Sequence, residues 1–172
     1  SCYYVEVTGD SGAWVLSKIS NTIGCLAPYS VAVTPQGVMW ANPGDDIYLW
    51  DGGYPKSMAR NWLTTFRAIA TTYKLQWYAW YDQAGKSYNL HMLDYAAKDW
   101  WSMCFELPVD LAYAWTRHQL GGSITQINRF RVGYDGTVYF LFDTAYIYKF
   151  GNYTSDEGIT IQTYFDTGKY VL

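Results

Sequence analysis

The chain has 172 residues, enough for one domain with a real core, since a chain near 150 residues buries roughly 68–70% of its unfolded surface. Charged residues make up 16% and the formal net charge is −3, which excludes a disordered polyelectrolyte and gives no general attraction for nucleic acid or an anionic membrane. Aromatic residues reach 20%, with 18 Tyr and 9 Trp, yet no run nears the roughly 18 apolar residues of a membrane-crossing helix.

Residues 1–7 alternate around Tyr3, Val5 and Val7 and read as a strand that breaks at Thr8-Gly9-Asp10. Residues 13–19 (AWVLSKI) make a second strand and residues 30–34 a third, bounded by Pro28 and Pro35. Val38 to Ala41 and Ile47 to Trp50 flank Asn42-Pro43-Gly44-Asp45, where Pro and then Gly predict a type II turn. Within residues 55–67, Met58, Trp62 and Phe66 recur at four-residue steps and predict a short helix or an irregular connector. A long hairpin follows, residues 75–95, turning at Asp82-Gln83-Ala84-Gly85-Lys86. Further strands are expected at residues 100–106, 111–115, 124–132 and 137–151, with turns at Asp135-Gly136 and Asp143-Thr144-Ala145. A final pair is expected over Ile159 to Phe165 and the last residues. Short strands separated by Gly, Pro or Asp indicate an all-β sandwich, barrel or propeller with little helix.

Three hairpins share an aromatic first strand: Val38 to Gly52, Trp77 to Asp94 and Thr137 to Gly151. Their steps are unequal, about 39 and then about 61 residues, against roughly 40 to 50 for common propeller repeats. The run from Asp94 to Trp100 is similar to the kelch link between the last two strands of a blade. A blade cannot hide both aromatic faces alone, whereas neighbouring blades stack and hide them. The expected organisation is a single β-propeller-like module spanning residues 1–172. Residues 1–20 end a preceding blade, 23–67 and 74–115 are blades, and 124–172 form a blade plus exit strands. A partial propeller needs its ring completed elsewhere, and both ends run directly into strands, so a longer parent polypeptide is expected. The alternative is a β-sandwich with aromatic cross-strand pairs.

No residue is assigned a catalytic, cofactor-binding or metal-ligating role, and no cofactor is expected. His91 alternates with Leu90 and Met92 in a strand, and His118 falls in a loop-like TRHQLGG stretch, neither at zinc-ligand spacing. Cys2, Cys25 and Cys104 are expected as free thiols, with one disulfide and a spare thiol as the alternative. Asp45, Asp46, Asp51, Asp82, Asp94, Asp135 and Asp143 lie at turns, where Asp bonds local backbone; a pair of them serving a glycosidase is the enzymatic alternative. Arg129 and Arg131 flank Phe130 and read as a solvated strand before a nucleic-acid face. Trp77, Trp80, Trp100 and Trp101 are the candidates for stacking on a glycan, with blade packing as the competing role.

Residues 19–59 carry an individual pattern: Ile23-Gly24-Cys25, Ala27 and Ser30; Gly37-Val38 and Trp40; Ile47-Tyr48 and Asp51-Gly52; Pro55, Met58 and Ala59. This pattern resembles the propeller-like region of tailed-phage virion proteins of the tail nozzle and tail-hub type. The resemblance implies a structural virion protein of the tail, in a ring that lines or closes the DNA exit route. It also implies hexameric self-association, contacts with other tail or portal-adapter proteins, and passage of genomic DNA without sequence-specific binding. The pattern contains no catalytic residue, and the second and third hairpins match it less well than the first.

Overall fold

The computed structural model describes residues 1–7, 9, 14–59, 62–69, 71–92, 99–105, 115–119, 127–133, 136–142, 147–149, 155–156, 159–160 and 162–165. They form antiparallel β-structure. β1 (Cys2–Glu6) pairs with β2 (Val15–Ser20) as an N-terminal hairpin. The first sheet is a meander of β3 (Ala32–Thr34), β4 (Gly37–Asn42), β5 (Asp46–Trp50) and β6 (Lys56–Ser57). After helix α1 (Leu63–Ala68), the second sheet runs through β7 (Tyr78–Asp82), β8 (Ser87–His91), β9 (Asp99–Cys104) and β10 (Trp115–Gln119). The third sheet is β11 (Ile127–Val132), β12 (Val138–Phe142) and β13 (Ile147–Lys149). β14 (Ser155–Asp156) pairs with β15 (Ile159–Thr160), and β16 (Gln162–Phe165) adds to β10 as a fifth strand of the second sheet. None of these sheets closes on itself.

The all-β expectation holds, and several details differ from the sequence reading. The expected single strand over Ile159 to Phe165 is two, β15 joining β14 and β16 adding to the second sheet, and the last residues, its expected partner, lie outside the described ones. Residues 28–30 form a 3-10 turn, so β3 starts at Ala32. The three hairpins are also out of phase. The first and third are the second and third strands of their sheets, β4–β5 and β12–β13, whereas the second is β7–β8, the opening pair of its sheet. The link from Asp94 to Trp100 therefore joins the second and third strands of that sheet, and its residues 93–98 lie outside the described ones. Counted from the first strand of each sheet, at Ala32, Tyr78 and Ile127, the step is about 45 to 50 residues each time.

Successive side chains in a strand point to opposite faces, so an aromatic-rich strand needs a neighbour on both sides. Met39, Ala41, Ile47 and Leu49 of the first sheet meet Tyr88, Leu90, Trp101, Met103 and Trp115 of the second in one buried cluster. α1 closes that cluster through Phe66 and the adjacent Trp62, which lies 4.4 Å from Trp101 between ring centroids. The other face of the second sheet carries Trp80 and Trp100, buried with Phe130, Val138 and Phe140 of the third. Trp80 stacks on Phe130 at 3.9 Å, and Phe140 meets Phe130 edge-on at 4.7 Å. On the first sheet's remaining face, Trp40 and Tyr48 cluster with Ile23, and Tyr4 of the N-terminal hairpin packs over Trp50.

The turns follow local chemistry. Gly44 sits at φ 82° and the Asp45 N–H donates to Asn42 O at 3.0 Å, the geometry expected of Pro-Gly at the turn centre. Gly37 opens β4 at φ 136°, and a Cβ there would lie 2.2 Å from Trp50 O. Replacing Gly37 with Ala is expected to lower unfolding stability by about 2–3 kcal/mol, through backbone strain and a displaced β5. A denaturant midpoint equal to wild type would contradict this.

Candidate functional site

The motif residues of the first sheet are held to one another. Ser30 is fully buried; its Oγ donates to Ala27 O at 2.6 Å and accepts the Ala41 N–H at 2.8 Å. Trp40 Nε1 donates to Gly24 O at 3.0 Å, and Ala27, Met58 and Ala59 are buried in the core between the first two sheets. Tyr48 OH donates to the Asp45 carboxylate at 2.7 Å; burial first, then that carboxylate, push the phenol well above its ordinary range. Asp46 Oδ1 accepts the Ile47 N–H at 2.7 Å, and Asp51 pairs with Lys56, which holds its carboxyl below the usual value. Asp82 Oδ1 accepts the Ala84 N–H at 3.0 Å. Each of these aspartates bonds a near neighbour in sequence, Asp46 also accepts the Ala59 N–H and Asp45 also faces Arg67, and Asp94, Asp135 and Asp143 lie outside the described residues.

The first two sheets are tied by polar bonds as well as by rings. Tyr88 OH donates to Ser30 O at 2.8 Å, and Trp115 Nε1 donates to Met58 O at 3.0 Å. Both are buried, so each lost bond leaves a desolvated acceptor.

The four glycan candidates are inside. Trp77, Trp80, Trp100 and Trp101 are 0%, 2%, 3% and 4% exposed and belong to the clusters between sheets. None offers a ring face to a sugar.

The two histidines share the face of the second sheet that meets the third. His91 is buried in β8 with its ring 5.5 Å from Phe130. His118 lies on β10, not in a loop, directly across from Trp100, on which it stacks at 5.2 Å. Ser102 Oγ is in hydrogen-bond contact with His118 Nε2 at 2.6 Å and with Thr116 Oγ1 at 2.8 Å. A hydroxyl beside an imidazole is the nucleophile–base element of acyl-transfer sites. Here Ser102 is 7% exposed and faces the sheet seam. Sequence reading missed this pair. The signal was the spacing of two in Trp100/Ser102 and Thr116/His118, which gives each duo one face, but not their register across β9 and β10.

The first strands β3, β7 and β11 are neighbours, β7 lying against each of the other two. Between them opens a crevice of about 300 Å³ with Val33, Ala79, Trp80, Tyr81, Gln83 and Val132 among its walls. Its lining side chains are apolar apart from the Gln83 amide, the Tyr81 phenol and the Trp80 indole N–H, and none of them is a carboxylate or an imidazole. Among the described residues no three His, Cys, Asp or Glu side chains gather as a metal site, and Cys2, Cys25 and Cys104 are free thiols. No helix among them is long and apolar enough to cross a membrane. No family model, curated protein or solved structure matches the chain.

Two measurements follow from this geometry. Tyr88→Phe is expected to cost about 1–2 kcal/mol of stability by orphaning Ser30 O; an unchanged denaturation curve would show that the bond contributes nothing. Burial holds His118 below its ordinary value, so the folded chain favours the neutral ring. The unfolded chain binds the proton near pH 6.5, so stability is intact above that pH and falls as the solution is acidified below it. The melting temperature should drop more steeply from pH 7.5 to 5 in the wild type than in His118→Gln; parallel profiles would refute this.

Proposed function

We propose that the chain is structural: a β-propeller-type module of a phage tail nozzle or hub, assembled with further sheets or copies into a ring on the DNA exit route. The observation that carries the reading is the use of the aromatic faces. The first and second sheets spend their apolar sides on one another and on their neighbours in chain order. Three consecutive meanders with adjacent first strands recur about every 45 to 50 residues, a step that supports reading them as blades. The resemblance over residues 19–59 supplies the biological setting, and its motif residues serve the architecture of the first sheet.

The N-terminal hairpin supports assembly with more material. The outward face of the N-terminal hairpin carries Tyr3, Val5 and Leu16 at 50%, 50% and 66% exposure. An isolated two-stranded hairpin is marginal in water, so an apolar face on one favours a further partner. Six copies per ring is the number that the family resemblance suggests.

Peptides of the chain are expected in purified virions, and electron microscopy of those particles should show a ring of its copies at the tail. Recovery of the chain solely as a free monomer, outside any particle, would overturn the reading.

A further inference from the structure

The two faces of the third sheet differ in kind. Phe130, Val138 and Phe140 point toward the second sheet and are buried. The register of β11, β12 and β13 puts Arg129 beside Leu141 and Ile147, and Arg131 beside Tyr139 and Lys149, on the opposite face. Arg129, Arg131 and Lys149 are exposed, and Ile147 is 73% exposed. None of the three cations enters an ion pair among the described residues, and no acidic side chain occupies a paired position on this face. In a chain of net charge −3, this gathers three positive charges on one face with no acidic partner among the described residues.

We propose that the outward face of the third sheet binds single-stranded nucleic acid, with Arg129, Arg131 and Lys149 meeting phosphates and Tyr139 stacking on a base. Arg129 and Arg131 stand about 6.6 Å apart along the strand, so they reach successive positions of an extended backbone. Arg131, Tyr139 and Lys149 form one row at about 4.8 Å per strand, which flanks the partly buried phenol ring with a cation on each side. Cations that track a backbone beside an aromatic platform are the elements of strand-binding surfaces, and stacking there tolerates any base. A duplex keeps its base faces inside the stack and cannot use Tyr139. The inference stands on this face alone and not on the virion reading: a chain free of any particle would still bind.

The test is fluorescence anisotropy of the 172-residue chain with a labelled twenty-nucleotide oligo(dT), a duplex of equal length, and polyglutamate as competitor. The expected result is binding of the single strand with a slope of log K against log salt near about −2, from three phosphate contacts. Arg129→Gln/Arg131→Gln/Lys149→Gln should weaken it by more than about ten-fold. Tyr139→Ala should weaken single-strand binding by about five-fold or more and leave the weaker duplex binding unchanged. All four positions lie on an outward face, and circular dichroism matching wild type confirms that the variants fold. Unchanged binding by the triple variant, duplex binding as tight as single-strand binding, or polyglutamate competing as well as the oligonucleotide would each overturn the proposal.

Discussion

The structure depends on the two-residue period of β9. Trp100 and Trp101 are adjacent, so they must leave the second sheet on opposite sides. Trp101 enters the cluster shared with the first sheet and α1, and Trp100 enters the cluster shared with the third. A sheet with an indole on each face is unstable in water unless both faces are covered. Each buried aromatic removes a large apolar area from solvent, and offset or edge-on pairs add about 0.5–1.5 kcal/mol apiece. The order N-terminal hairpin, first sheet, second sheet, third sheet is the chain's way of covering them in sequence.

Polar bonds then select among the ways of stacking. Apolar contact is non-directional, whereas the Tyr88–Ser30 and Trp115–Met58 bonds fix the second sheet against the first at defined atoms. Ser30 is the hinge of that arrangement: its hydroxyl braces the 3-10 turn to β4, while its carbonyl receives Tyr88 from the neighbouring sheet. Stacking has its own cost. Trp62 Nε1 is buried without a hydrogen-bond partner among the described residues, offset by ring contacts with Trp101, Trp115 and Phe66. The residues that carry the family resemblance thus act through packing and backbone bonds, which suits a building module. Among the described residues the third sheet turns Arg129, Arg131 and Lys149 outward on one face.

Much of the fold was legible. Alternation located most of the strands though not β10, Pro43-Gly44 located its turn, and the four-residue step of Met58, Trp62 and Phe66 marked the neighbourhood of α1. Asp at turns bonding local backbone was also readable, because that chemistry spans only a few residues. The phase of the repeat was not. Hairpins look alike whether they are the first two strands of a sheet or the second and third, so the similarity of Trp77 to Asp94 with the other two hid its different position.

What the sequence by itself determined is which residues share a strand face and how the chain turns, since both follow from neighbours a few positions apart. Tertiary structure alone decided the partners. Backbone hydrogen bonding is the same for every strand, so nothing local sends β16 to β10 or sets Ser102 against His118. Nor could spacing tell that Lys149 would join Arg129 and Arg131 on one uncovered surface, because that grouping exists only once three strands are in register.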